Sequence, residues 1–190
     1  MTKKVIKELR DWIILAVVAS GLYFTGYHTE VIGQVQRVLI MTGLLQPDLD
    51  IPDAEYQLAD YNLQFVDNNG ESLRLADYRG KTIFLNFWAT WCPPCIAEMP
   101  DINSLYNQVG SEVVFILISV DKERDKVWAF EERKGFDYPL YHLTGGLPSA
   151  YQSGAVPTTF VIGPTGKIVM RREGMAKYDT QKFKDFLKDL

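Results

Sequence analysis

The sequence predicts an α/β domain, a mixed central sheet with flanking helices, carried behind one N-terminal transmembrane helix. Three observations predict it. After Pro52, strand-like and helix-like stretches alternate to the C-terminus, which is the pattern of a layered α/β structure. Two of the strand-like stretches, 82–88 and 113–120, are nearly continuous apolar runs, as strands covered on both faces are. An uncharged, mostly apolar run over 12–27 follows Lys3, Lys4, Lys7 and Arg10. The 190 residues suit one domain with an appendage, and 47 % apolar against 23 % charged residues favours a packed core over disorder. A net charge of −4 supplies no basic face for a nucleic acid.

The run 12–27 would cover about 24 Å as a helix at 1.5 Å per residue, slightly short of a ~30 Å hydrocarbon core. Arg10 can snorkel, and Trp12, Tyr23 and Tyr27 suit the two interfaces. The basic flank stays in the cytoplasm, so the chain after Tyr27 lies outside. A cleaved signal peptide competes with this reading, with Val17 and Ala19 as small residues before a cut, although the apolar run continues through Leu22, Tyr23 and Phe24. Either way the cysteines reach a compartment where disulfides persist. Val31, Val35, Val38 and Leu45 then recur at roughly helical spacing, while Gln34, Gln36 and Arg37 exclude a second span. This segment is an amphipathic helix on the outer membrane surface or a helix packed on the globular domain; the spacing leaves both open. Two prolines and three acids over 46–53 mark a linker. The organisation is therefore 1–28, cytoplasmic tip and membrane anchor; 29–55, amphipathic segment and linker; and 56–190, the folded domain.

In that domain, 61–66 and 72–75 flank Asp67-Asn68-Asn69-Gly70, a hairpin signal. After the apolar strand 82–88, Ile96, Met99, Ile102, Leu105, Tyr106 and Val109 keep helical spacing up to Gly110. A second strand over 113–120 leads to a helix carrying Val127, Trp128 and Phe130 and ending at Gly135, then a short strand over 140–143. A strand over 158–162, a Gly-Pro-Thr-Gly turn and a partner over 167–171 form a second hairpin. Phe183, Phe186, Leu187 and Leu190 line one face of a last helix. This order gives a mixed sheet with helices on both faces.

The chemistry is concentrated in Trp91-Cys92-Pro93-Pro94-Cys95, between the first buried strand and the helix after it. The chain has two cysteines and two histidines, His28 and His142, too few and too scattered for zinc, which takes about four ligands. A close cysteine pair remains for redox work. Cys92 at a helix N-terminus meets free N–H groups and the positive end of the macrodipole, which favour a thiolate, the attacking form. Cys95, one turn inside, is the resolving sulfur. Prolines fit the first helical turn and remove two donors from the neighbourhood of Cys92, leaving the N–H groups of Cys95 and Ile96. Mild acidification of Cys92, and hence a reducing protein, is the expectation. Glu98 shares a helix face with Cys95; it is either a buried proton carrier or an exposed acid favouring the first turn.

The segment from Asn86 to Cys95, Asn-Phe-Trp-Ala-Thr-Trp-Cys-Pro-Pro-Cys, together with Pro100 and Val156-Pro157-Thr158-Thr159-Phe160, resembles the thioredoxin superfamily in its membrane-tethered TlpA/ResA-type branch. The resemblance covers 56–190. It implies a thioredoxin fold with an N-terminal β-hairpin extension and a redox-active Cys92–Cys95 disulfide in place of any other cofactor. It also implies a cis bond before Pro157, where a trans proline opening an edge strand is the plain alternative. Trp91, Pro93, Pro94, Val156 and Pro157 become the surface that meets substrate, with the backbone of Val156 pairing an extended peptide. Many thioredoxins carry a buried aspartate where this chain has Asn86, which takes no proton at neutral pH. ResA-type proteins have a glutamate matching Glu98, which implies that Glu98 moves the proton for Cys95 or Cys92. The implied protein is single-pass in a bacterial inner membrane with its domain on the periplasmic side. It would reduce disulfides of exported proteins, apocytochromes c among them, and draw on a membrane electron donor. A disulfide oxidase or isomerase and a non-catalytic assembly factor are the alternatives. The Pro-x-x-x-Thr-x-x-Cys motif of thiol peroxidases is absent.

Overall fold

The computed structural model describes residues 3–25, 27–49 and 57–190. Two helices open it, α1 (Lys3–Thr25) and α2 (Tyr27–Met41). Eight strands follow, namely β1 (Gln57–Leu58), β2 (Gln64–Val66), β3 (Ser72–Arg74), β4 (Ile83–Trp88), β5 (Val114–Ser119), β6 (Leu140–Thr144), β7 (Thr158–Ile162) and β8 (Lys167–Glu173). Among them run α3 (Pro93–Val109), α4 (Arg124–Lys134) and, last, α5 (Gln181–Lys188). The strands form one sheet in the order β1-β8-β7-β4-β5-β6-β2-β3. The apolar run 82–88 becomes β4, paired on its edges by parallel β5 and antiparallel β7 and buried along its whole length because cores cover both its faces. The hairpin β2–β3 pairs Gln64 with Arg74 and Val66 with Ser72, closed by Gly70 at φ 82°, a left-handed position that suits glycine.

Side chains alternate across β4 with the period of two that a strand imposes. Phe84 and Trp88 enter one core, with Met99, Ile102 and Leu105 of α3, Val127 and Phe130 of α4, and Phe183 and Leu187 of α5. Ile83, Leu85 and Phe87 enter the other, with Leu63, Leu75, Tyr151 and Phe160. Helices on both faces were expected; α3, α4 and α5 share one face instead. The crossovers β4–α3–β5 and β5–α4–β6 both step the same way along the sheet, and right-handed crossovers that step the same way place their helices on the same side. The opposite face is closed by two short 3-10 turns, Leu75–Tyr78 and Ser149–Tyr151, and the coil beside them.

The N-terminal expectations need correction. Residues 12–25 of the run are helical, within α1, but no helix among the described residues is long and apolar enough to cross a membrane. The uncharged part of α1 is 12–25, about 21 Å at 1.5 Å per residue, and Glu8, Arg10 and Asp11 lie immediately before it. For the 31–45 segment, packing on the domain is what the structure shows. α2 crosses α3, with Gly33 against the Pro93 carbonyl and Ile96. Ile40 is buried, and Glu30 holds Arg133 at 2.9 Å and Lys134 at 2.8 Å. Beyond α2, the Leu45 carbonyl accepts from Lys177 N at 2.7 Å. Residues 50–55 of the expected linker, and Tyr56 at the expected start of the domain, lie outside the described residues.

Candidate active site

β4 delivers the motif and α3 receives it. Trp88 ends the strand, the chain turns through Ala89 to Trp91, and Cys92 caps α3 with Pro93 and Pro94 in its first turn. Both prolines fit there because those N–H groups would have no partner inside the helix. Cys92 and Cys95 form a disulfide. Cys92 Sγ accepts the Cys95 backbone N–H at 3.3 Å. The Ile96 N–H, expected as a second donor to the sulfur, goes to the Cys92 carbonyl at 3.2 Å instead, closing the first helical ring. One backbone donor is therefore on the Cys92 sulfur. Cys92 is only 3 % exposed and Cys95 is fully buried, so the start of the helix is enclosed.

The Val156–Pro157 bond is cis, and the Val156 carbonyl lies 3.5 Å from Cys92 Sγ. The plain alternative of an edge-strand proline is excluded, since β7 lies between β8 and β4. On the other side of the pair, Glu98 is buried at 1 % exposure, which removes the reading as an exposed helix-start acid. Its carboxylate accepts from Asn86 Nδ2 at 3.0 Å and from the Ala176 N–H at 3.1 Å. Burial pushes its pKa up from 4.5 to about 8; those two hydrogen bonds pull against the shift, Asp101 adds to it and Arg172 opposes it. Asn86 reaches this network because it alternates with Phe84 and Trp88 onto the helix-covered face. The same Nδ2 donates to Thr159 Oγ1 at 2.8 Å, which also accepts from Tyr178 Oη at 2.7 Å.

The model of the AhpC/TSA family matches residues 50–171. The chain belongs to that family. Thiol-disulfide oxidoreductase ResA of Geobacillus kaustophilus (strain HTA426) is 32 % identical over 185 residues, covering 95 % of each chain. The protein of the same name in Geobacillus thermodenitrificans (strain NG80-2) is 33 % identical over 179 residues, covering 93 % of each. Among solved structures, a thiol:disulfide interchange protein of the thioredoxin family from Chlorobium tepidum TLS superposes with a TM-score of 0.57 at 28 % identity, over 73 % of this chain and 98 % of its own. Like these AhpC/TSA relatives, the protein is a thiol–disulfide oxidoreductase with a thioredoxin-like fold.

Of the expected substrate-facing residues, the structure brings Trp91 and Val156 together in one groove, which Pro93, Pro94 and Pro157 do not line. Trp91, 58 % exposed, and Val156 line an apolar groove of about 280 Å³ with Phe87, Val120, Leu147 and Ala155. Pro93 and Pro94 are half-buried, and the Pro93 carbonyl lies under α2. Sequence reasoning missed Asp121. Its carboxylate, 5 % exposed, accepts from Thr90 N at 2.8 Å, Thr90 Oγ1 at 2.7 Å and Ser119 Oγ at 2.6 Å, pinning the loop that carries Trp91 and Cys92. His142 Nε2 donates to the Asp121 carbonyl at 2.8 Å. The signal was there in part: an acid just past a buried parallel strand lies at the strands' carboxyl edge, where α/β sheets place their sites. Among the described residues no group of three or more His, Cys, Asp or Glu side chains is placed to hold a metal ion.

Proposed function

We propose that the protein is an extracytoplasmic reductase of disulfides in exported proteins, attached to the bacterial cytoplasmic membrane through α1, with apocytochromes c as one client class. The observation that carries the reading is the Cys92 sulfur at the N-cap of α3, holding a single backbone donor beside the cis Val156–Pro157 bond. In the dithiol form the Cys92 thiolate attacks one sulfur of a client disulfide, giving a Cys92–client mixed disulfide and a client thiolate. The Cys95 sulfur, as thiolate, then attacks Cys92 Sγ, closing the Cys92–Cys95 bond and releasing the second client thiolate. Two electrons pass to the client per cycle, and a membrane electron donor returns them.

Glu98, one helical turn from Cys95, accepts in its ionised form the proton that Cys95 gives up, and returns it when the pair is reduced again. A carboxyl with a pKa of about 8 matches a thiol near 8.5 closely enough to exchange a proton without a large penalty. The groove beside Trp91 and Val156 receives an extended client segment, with Pro93, Pro94 and Pro157 shaping its approach to the sulfur. One N–H on the Cys92 sulfur supports mild acidification and a reducing potential.

The test is Cys95→Ala in the full chain. Clients should accumulate as mixed disulfides on Cys92, identifiable after isolation, because the resolving sulfur is gone. Failure of Cys92→Ala to remove both the adducts and the phenotype of the intact protein would make it an assembly factor. The equilibrium potential separates reductase from oxidase. It should fall well below the value of about −120 mV typical of a strong oxidant, and a value near that figure would assign it to disulfide formation.

A further inference from the structure

α2 is polar on the wrong side for a helix packed on a protein and bathed in water. The residues that meet the domain are Thr29, Glu30, Gly33, Gln36 and Ile40, all buried or half-buried. Those that face away include Val31, Ile32, Val35, Val38 and Leu39, each 46–68 % exposed, with Gln34 and Arg37 also exposed. A helix at a protein–water boundary turns its apolar stripe inward; here a charged and a small polar residue go in and the β-branched stripe goes out. α2 is also seated firmly, through Gly33 on Pro93 and Ile96 and through Glu30 on Arg133 and Lys134. Its orientation is therefore set by the domain, and the stripe faces whatever lies beyond it.

We propose that this outward stripe docks on the lipid bilayer, seating α2 in the headgroup–acyl boundary and holding the Cys92–Cys95 pair about one helix diameter, roughly 10 Å, from the membrane. The occupant follows from the neighbouring chain. α1 precedes α2 almost directly, and its Trp12, Ile13, Ile14, Leu15, Val17 and Val18 stand 54–70 % exposed around the helix, a surface suited to lipid. The uncharged part of α1 is short for a ~30 Å core, and durable attachment generally takes a second membrane signal; the stripe on α2 supplies one, and Lys7 and Arg10 suit anionic headgroups. The proposal rests on the membrane tether proposed above and adds to it a fixed height and orientation of the redox pair.

The test uses the full chain with Cys92→Ser and Cys95→Ser, carrying one nitroxide at Val35→Cys or Val38→Cys, or at Asn69→Cys in the exposed hairpin as reference. It is mixed with vesicles of phosphatidylcholine and phosphatidylglycerol. The chain should float with the vesicles. Labels at 35 and 38 should lose collisions with a water-soluble nickel chelate and gain collisions with oxygen, relative to 69. If the chain floats but 35 and 38 collide with the chelate as often as 69 does, the docking surface is wrong and the tether stands. If the chain does not float, tether and docking surface both fail. Loss of collisions with both reagents, with dipolar broadening between labels, would place a second copy of this chain on the stripe and overturn the bilayer as its occupant.

Discussion

Two carboxylates are buried on either side of the redox motif, and their surroundings differ in kind. Asp121 accepts three hydrogen bonds from two neighbouring segments, two of them from Thr90 in the motif's own loop. Glu98 accepts two, one from a side-chain amide and one from a backbone N–H, and burial outweighs both, lifting its pKa to about 8. A carboxylate given enough donors is a fixture, and it fastens what donates to it. One that is buried with few donors is left close to its protonated form and can exchange a proton. The fold thus buries the same functional group twice, once with enough donors to hold the loop before Cys92 and once with few donors, one helical turn from Cys95.

The largest effect should come from breaking the fixture. Asp121→Ala removes the common acceptor of Thr90 N, Thr90 Oγ1 and Ser119 Oγ, leaving buried donors without partners, which costs about 1–3 kcal/mol for each one left unpaired. A loss of about 3 kcal/mol in urea unfolding is expected, with client reduction slowed further because the loop positions the nucleophile. If unfolding free energy changed by only a few tenths while activity held, the loop would be set by β4 and α3 alone.

Glu98→Gln should act differently, on pH dependence more than on folding. In the native state the carboxyl keeps its proton up to about pH 8, whereas in the unfolded chain it releases it near 4.5. Between those values the folded form binds more protons, so wild-type stability declines as pH rises through this window and levels off above it. The amide of the variant has no proton to lose in this range. The thermal midpoint of the variant minus that of the wild type should therefore grow from pH 5 to pH 8, and the pH profile of thiol alkylation should lose the inflection that the carboxyl contributes. Parallel midpoints across the range would mean that the acid is already ionised in the fold, and an unchanged alkylation profile would remove it from proton transfer.

The contrast also shows what a sequence can and cannot disclose. Apolar runs located β4 and β5, and the residues between Asn86 and Cys95 located the redox pair, because local order fixes both. The cis bond at Pro157 was reachable only through the resemblance carried by Val156 to Phe160. Glu98 could be named but not placed, since helical spacing puts it beside Cys95 without saying whether solvent reaches it. Burial depends on Ala176 and Tyr178, which lie in coil between β8 and α5 and carry no periodic signal. Asp121 adjoins the charged residues 122–126, where a buried acid does not stand out from solvated ones. The spacing of Val31, Val35 and Val38 identified a helix correctly yet could not tell which side the domain would take, because periodicity defines a face and not its neighbour.

The smallest effect on stability should come from Trp91, which separates holding the motif from using it. Its ring is more than half exposed and touches the groove that Val156 and Leu147 continue, so Trp91→Ala should change unfolding free energy by no more than about 0.5 kcal/mol, as for most surface substitutions. Its cost should fall on recognition. KM for a folded client disulfide should rise several-fold, while the rate with a small disulfide such as oxidised glutathione, which does not fill the groove, stays close to wild type. Equal losses with both substrates would show that the indole tunes the sulfur itself and not the fit of the client. Such a result would extend the fastening role of Asp121 from Thr90 to the residue next to the nucleophile.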